Sequence, residues 1–503
     1  MAPRISTLPE VTLTVSGSPA DSDSLRMLEK VHVAQRLSAP AQCELTFGLG
    51  AETVRIDSRL RPGAELTVTV STNTTVLFSG EVTAVEYLHS ASNERQMRVR
   101  AYDALHRLRK RQTVRTFAGK TVADIAREVC ADIGLSVEAT DDGAEYQWLI
   151  QGRETDWQFL VRLAERSGLY LSAREGALHL LTLEGMGAPI ALGLGNTLFE
   201  ATIEINTDAA VIGVQAQGWF PTEGESFRGS ATSPRANRAA NVSATPAAAD
   251  RTIVDAIAQN DIHAGQLAQA DLDQRAATEV TLWGVADGDP RLRPGTRIDV
   301  SGVAQEVSGR YVLSEATHSI DSRMGYVTEI STRPPVPVAR PVGTIVTPGV
   351  ISAIDDPFQQ GRVRVKLLTF ADVETDWVGV VVPGAGPNKG VIALPAAGDL
   401  VLMLLAHEDP AHGVVLGGFY GQISPPDVGI VDGARRRFTF VTPQGQRISM
   451  DDSNGTLHLE NNSGSFIDLA PGGVRFHAAA DLQIDAPGKQ IAISAAAIDF
   501  NRA

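Results

Sequence analysis

The residue types in this sequence that do chemistry are not spaced to assemble a reaction. His407-Glu408-Asp409-Pro410-Ala411-His412 resembles a zinc-protease helix, offering two histidines and a carboxylate. Its histidines are five residues apart where one helical face needs four, and Pro410 breaks a helix at that point. Gly119-Lys120-Thr121 has the ending of a phosphate-binding loop, yet Val114 stands where the first glycine is required. Thr121 reads instead as a helix N-cap. The glycine-rich run 384–390 lies between strands and contains Pro387, so it reads as a turn rather than a dinucleotide loop. No Gly-x-Ser-x-Gly occurs, and the pairs Asp141/Asp142, Asp355/Asp356 and Asp451/Asp452 fall in turn contexts. Cys43 and Cys130 are 87 residues apart and read as buried thiols. No catalytic, cofactor-binding or metal-binding residue is assigned, and the expectation is a protein that is not an enzyme.

What such a chain positions, then, is surface. Its 503 residues are too many for one core and imply three or four domains. Many glycines and prolines (46 and 26) against 5% aromatic residues suit short strands and turns better than long helices. A net charge of −15 argues against nucleic acid as a partner, and Arg435-Arg436-Arg437 reads as a solvated junction. Residues 1–15 lack the apolar core of a secretory signal, and the longest apolar run, 400–406, is far short of a membrane span. The expectation is a chain made in the cytoplasm without a signal peptide.

The C-terminal segment 435–503 carries the clearest pattern. Apolar pairs at i and i+2 recur as Phe438/Phe440, Ile448/Met450, Leu457/Leu459, Ile467/Leu469, Val474/Phe476, Leu482/Ile484, Ile491/Ile493 and Ile498/Phe500. Each pair lies on one face of a strand; the first members of successive pairs sit seven to ten residues apart, and turn or polar residues fill most of the gaps between. Two apolar side chains per unit do not offset the backbone entropy of ordering it, so a lone copy should not fold. Several copies wound into an intertwined β-prism would close the apolar core and pair the strand edges, giving a rigid needle. The pairs from Phe438 to Ile493 are the expected core of that needle.

Upstream, residues 11–103 alternate apolar and polar residues, as a small barrel or sandwich does. Helical periods follow at Thr121 and at Thr155, the second stopping at Gly168 in an α+β insert. Strands resume at 199–219, residues 229–250 read as a long loop, and a helix is expected over 265–278. Arg59-Leu60-Arg61-Pro62-Gly63 returns as Arg291-Leu292-Arg293-Pro294-Gly295, each followed by a strand, a glycine (Gly80, Gly309) and a histidine (His89, His318). Duplication of a β-barrel is the reading. A proline-rich linker, 334–342, precedes five or six strands packed into about eighty residues, as in an OB barrel.

Residues 361–367 (Gly-Arg-Val-Arg-Val-Lys-Leu), Trp377 with 383–386 (Pro-Gly-Ala-Gly), 393–402 (Ala-Leu-Pro-Ala-Ala-Gly-Asp-Leu-Val-Leu) and 409–421 (Asp-Pro-Ala-His-Gly-Val-Val-Leu-Gly-Gly-Phe-Tyr-Gly) resemble the OB domain of VgrG and phage baseplate spike proteins. Residues 155–168 resemble the hub of that family, also seen in phage late control protein D. The resemblance implies a mainly β chain in the family's order. A first tube-like hub barrel would span 1–112, an α+β insert 113–190, a second hub barrel 191–333, the linker 334–342, an OB-fold 343–424 and a triple-stranded β-helix 435–503.

It further implies the homotrimeric spike of a contractile injection system, whether type VI secretion, an injection particle or a phage tail. Six near-equivalent barrels in three chains would seat a hexameric ring of inner tube protein, beside other baseplate proteins, with transient contact to the target membrane. The lysozyme and toxin domains of some members are not expected. His458 and His477, 19 apart, do not form the His-x-His metal tip of some phage spikes. A PAAR-like tip protein is expected on Ile498, Phe500, Asn501, Arg502 and Ala503, in a phage tail-like particle released or injected on contraction. The alternatives are a spike that hydrolyses cell wall and an adhesin whose OB domain binds glycan.

Overall fold

The computed structural model describes residues 9–49, 57–70, 75–90, 95–220, 225–236, 249–338 and 343–501. It divides into two compact units, 1–418 and 419–503. The chain is mainly β. In the first unit, alternating apolar residues give β1 (Val11–Val15), β2 (Leu28–Arg36), β3 (Ala39–Gly48), β4 (Glu65–Val70), β5 (Thr75–His89) and β6 (Arg95–Tyr102). Their inward positions, among them Val33, Leu45, Phe47, Val68 and Val99, form one buried cluster. Asp103 ends β6 and is itself buried, accepting from the N–H groups of Ala41 (2.8 Å) and Leu105 (3.0 Å).

The insert comprises β7 (Arg115–Thr121), α1 (Val122–Ala131), β8 (Ser136–Ala139), β9 (Glu145–Gln151), α2 (Asp156–Arg166), β10 (Tyr170–Arg174) and β11 (Ala177–Leu181). Both helices start in capping boxes, Thr121 with Asp124 and Thr155 with Gln158. Gly168, at φ +68°, turns the chain out of α2. Lys120 pairs with Glu128 rather than standing in a phosphate loop.

Beyond the insert lie β12 (Met186–Gly193), β13 (Leu198–Ile205), β14 (Val211–Phe220), β15 (Glu225–Ala231), β16 (Ala249–Ile257), α3 (Asp261–Glu279), β17 (Val280–Asp287), β18 (Thr296–Ser301), β19 (Gly309–Val312), β20 (Glu315–Asp321) and β21 (Gly325–Ser331). The expected loop 229–250 is partly strand, since β15 reaches Ala231 and β16 starts at Ala249; residues 237–248 lie outside the described residues. The helix begins four residues earlier than its apolar period suggests, because Asn260 caps it through the His263 N–H (2.8 Å). It packs on the sheet β15–β14–β16 through Ala268 and Leu272.

The strands expected to form two hub barrels do not fall into two separate sheets. One sheet runs β13–β17–β21–β20–β2–β3–β6–β5–β4–β1, ending on the two-residue strand Ser18–Pro19. The join is β20 on β2, antiparallel, with His318 opposite Val33. The repeated pentapeptide performs the same turn twice. Arg59 grips Asp57 and Arg291 grips Asp289 through forked contacts, and Leu60 and Leu292 are buried beneath. The flanking glycine and histidine spacings, however, mislead. Val82 and Leu313 fill the same place after the turn, so Gly80 matches Tyr311 and His89 matches Ile320.

Pro335 accepts from the Gln274 side chain, and 339–342 lie outside the described residues. The next strands are β22 (Ile345–Ala353), β23 (Arg364–Leu367), β24 (Val373–Glu374), β25 (Leu400–Leu405) and β26 (Gly413–Gly418), in the order β24–β23–β22–β25–β26. Bridges Val363–Val378 and Val380–Val415 tie the two sides around a core of Ile351, Val365, Leu367, Val401 and Met403.

The second unit is a five-stranded antiparallel meander: β27 (Arg437–Val441), β28 (Arg447–Asp451), β29 (Thr456–Glu460), β30 (Phe466–Ala470) and β31 (Gly473–His477). Five of the eight expected paired strands are therefore present. The pairs Leu482/Ile484, Ile491/Ile493 and Ile498/Phe500 fall in residues 478–501, which hold no strand of this chain. Short Ala-rich segments there, such as Ser494-Ala495-Ala496-Ala497, offer a hairpin little side-chain contact.

Candidate assembly interface

The strand register sets the geometry of the C-terminal sheet. Phe438 stands opposite Met450, Met450 opposite Leu457, and Leu457 opposite Leu469. Phe440, Ile448, Leu459, Ile467 and Phe476 form the neighbouring row in the same way, and Val474 meets Leu469. Because side chains alternate with period two, every member of these pairs lies on one face. That face is uncovered within the chain: Phe440 is 64% exposed, Val474 61% and Phe476 69%. Leu482, Ile484, Ile491, Ile493, Ile498 and Phe500 are exposed as well, and Phe500 reaches 91%. Asn501 is exposed at the described end, and Arg502 and Ala503 lie outside the described residues.

The opposite face is polar. His458 lies 3.5 Å from both Glu460 and Asp468, while Phe466 stacks against His477 with centroids 4.9 Å apart. Arg475 covers the Phe466 ring at 5.2 Å. The sheet is thus two-sided, apolar on one face and charged on the other. At its start, Arg437 forks onto Asp427 (3.0 and 2.9 Å) and Thr439 donates to the same carboxylate at 3.0 Å. The Arg437 guanidinium holds Asp427 well below the usual carboxylate range. Of the three arginines expected as a solvated junction, Arg435 and Arg436 are exposed, whereas Arg437 is half-buried and paired.

In the first unit, the histidines of 407–412 do structural work. His412 is buried, 3.2 Å from Asp409 and edge-on to Phe220 at 5.5 Å. Burial pushes Asp409 up, but His412 and Arg162 outweigh it and hold the carboxyl well below its ordinary range. His407 sits at φ +53°, incompatible with a continuous helix there. Among the described residues, no group of three or more His, Cys, Asp or Glu side chains is placed to hold a metal ion. Burial raises Cys43 above its ordinary range and brings Cys130 to about 12, as expected of inert thiols. No helix of the described residues is long and apolar enough to cross a membrane.

A cleft of about 560 Å³ opens between α2, α3 and the 407–410 turn, lined by Glu154, Arg162, Arg166, Tyr170, Phe370 and Asp409. Arg162 is already held by Glu154 at 2.8 Å and Arg166 by the Ile257 carbonyl at 2.7 Å. These side chains stitch the walls together.

Known structures share this fold. The 43 kDa tail protein of prophage MuSo2 from Shewanella oneidensis aligns over 64% of this chain and 97% of its own, at 18% identity and TM-score 0.51. The E. coli c3393 protein, described as a type VI secretion component similar to the T4 tail proteins gp27 and gp5, aligns over 81% and 99%, at 15% identity and TM-score 0.53. A chain of the lidded Francisella PdpA–VgrG complex aligns over 94% and 80%, at 10% identity and TM-score 0.56. No curated protein gives a significant sequence match. Residues 347–420 match the family described as the type VI secretion system/phage-baseplate injector OB domain. Residues 13–322, well over half of the chain, match the family described as the Alg8 N-terminal domain, so the chain belongs to that family, and its fold is similar to those of the VgrG and phage tail proteins above.

Proposed function

We propose that this protein is the structural spike and hub of a contractile injection system, working as a homotrimer without enzymatic activity. The observation that carries the reading is the uncovered apolar face from Phe438 to Phe476, continuous through Met450, Leu457 and Leu469. A sheet face of this extent in water needs a cover, and two further copies of the same face supply one of matching period. Closed that way, 435–503 becomes a triple-stranded β-helix with Phe438, Phe440, Ile448, Met450, Leu457, Leu459, Ile467, Leu469, Val474, Phe476, Leu482, Ile484, Ile491 and Ile493 inside. The polar face bearing His458, Asp468 and Arg475 then faces out. Residues 1–333 dock on the hexameric inner tube, and the OB-fold joins hub to needle.

The needle punctures the target envelope, and a PAAR-like tip protein seats on its end at Ile498, Phe500, Asn501, Arg502 and Ala503. Analytical ultracentrifugation of the full chain tests the reading. A trimer is expected, and Ile448→Asp with Leu459→Asp should reduce it to smaller species. A well-folded monomer of the unaltered chain would overturn it.

A further inference from the structure

Beside the second copy of the pentapeptide lies a cavity of about 840 Å³. Its walls are β4 and β5 of the hub, the hairpin β10–β11 of the insert, and residues 290–293. The hairpin is tight. Glu175 and Gly176 both take positive φ (+49° and +79°), so a two-residue turn holds Arg174, the last residue of β10, opposite Ala177. The Arg174 guanidinium reaches across to the second repeat, donating to Thr296 Oγ1 at 2.8 Å and to the carbonyls of Arg293 and Pro294. Arg293 lines the same cavity and donates to the Pro290 carbonyl at 2.8 Å and to the Val76 carbonyl.

Two half-buried guanidinium groups thus share one cavity without a counter-charge. Among the described residues, no carboxylate comes within 4 Å of either. The acids nearby are engaged elsewhere: Glu81 by Arg107 at 3.2 Å, and Asp289 by Arg291 at 2.6 Å. Burial, and after it the Arg293 charge, push Arg174 down to about 10; burial pushes Arg293 down as well, with the exposed Glu175 opposing both from a distance. Two lining atoms shut off from solvent, Arg174 Nε and Gln35 Oε1, make no hydrogen bond.

The turn itself does not demand this arrangement. Arg61 stands in the first repeat where Arg293 stands in the second, and it is exposed. The difference is the insert: a Cβ on Gly63 meets nothing within 4 Å, whereas one on Gly295 lies 3.6 Å from Arg174 Nη2. The insert therefore buries one cation and brings a second to it. Stitching carbonyls together needs only a neutral donor, and a buried cation without a partner is costly. Water would satisfy Gln35 and Arg174 Nε but would leave both charges unanswered.

We infer that this cavity binds a small oxyanion, a phosphate or a carboxylate, between Arg174 and Arg293. Two oxygens on one ligand match the forked donors of a guanidinium, which a halide cannot do. The site lies in the first unit and is independent of the assembly proposed above.

Titration calorimetry of the full chain tests it, with sodium phosphate and sodium citrate each run against sodium chloride at equal ionic strength. Saturable binding of one ion per chain is expected, and the tighter titrant names the oxyanion. Arg174→Gln should weaken that binding roughly tenfold or more, whereas Arg61→Gln, at the solvated counterpart, should leave it unchanged. No saturable heat from either anion would overturn the inference and leave the cavity to water. Binding that survives Arg174→Gln, or that Arg61→Gln weakens as much, would overturn it too. If Arg174→Gln does not fold, hydrogen exchange on the unaltered chain decides. The bound anion should slow the amides of 174–177 and 291–296 relative to chloride, and unchanged rates there would sink the proposal.

Discussion

Val82 and Leu313 occupy the same place in two copies of one ladder. The Val82 N–H donates to Ala64 and its carbonyl accepts from Gly63; Leu313 does the same with Thr296 and Gly295. Both glycines need the left-handed region, at φ +89° and +84°. Their surroundings differ, since a Cβ at Gly63 meets nothing within 4 Å while one at Gly295 lies 2.5 Å from Leu181 Cδ1. Gly63→Ala should therefore cost only the backbone term, about 1–2 kcal/mol. Gly295→Ala should cost distinctly more. Urea unfolding of the two variants, compared at equal slope, checks the order.

The OB-fold is held to the insert by a sandwich. Arg364 lies 5.5 Å from the Trp148 ring and 5.1 Å from the Trp377 ring. Its guanidinium also reaches Glu374 and Asp376, both at 3.5 Å. Arg364→Lys keeps the charge but loses the planar stack, and a loss of roughly 0.5–2 kcal/mol is expected. Tryptophan fluorescence during denaturation should show these rings freed earlier in the variant.

Stability should rise with pH across the mildly acid range. Burial pushes His263 and His318 down to about 3, helped by Arg166 and by Arg293 respectively. Their unfolded values lie near 6.5, so between about 3 and 6.5 the unfolded chain binds more protons and stability grows as pH rises. Burial raises Asp103 to about 7, and this group acts in the opposite sense between about 4 and 7. Two rising contributions against one falling leave a net rise to about pH 6.5. Asp103→Asn should steepen it. Thermal melts from pH 4 to 7 would show both slopes.

The Asp427–Arg437 fork anchors the first strand of the C-terminal sheet. Arg437→Leu should speed amide exchange in β27 while leaving the oligomer's mass unchanged, since the apolar pairs are untouched. A drop in oligomer mass would instead make the fork part of the assembly contact.

Much of this organisation is written in local chemistry. The helices of the insert are legible because Thr121 and Thr155 carry complete capping boxes, and the C-terminal strands because their apolar residues recur as pairs at i and i+2 with turn residues between. The hub was less legible. Gly80 and Gly309 suggest a register that the ladder contradicts, because one glycine signal in a strand does not fix pairing partners. β15, with its serines and glycine, looks like loop, and the start of α3 lies in Asn260, outside the apolar period. The pairing of β20 with β2 has no local signature at all.

Arg36 and Glu315 meet at 2.7 Å although 279 residues separate them. On the ribosome, β2 must therefore wait for 279 further residues before its partner β20 exists. The insert, with its local contacts, is free to mature during that interval. The adhesive C-terminal strands are synthesised only afterwards, when the hub of the same molecule is complete. Vectorial synthesis thus brings out the stickiest surface after the strands that precede it, and shortens the time in which unfinished chains can tangle.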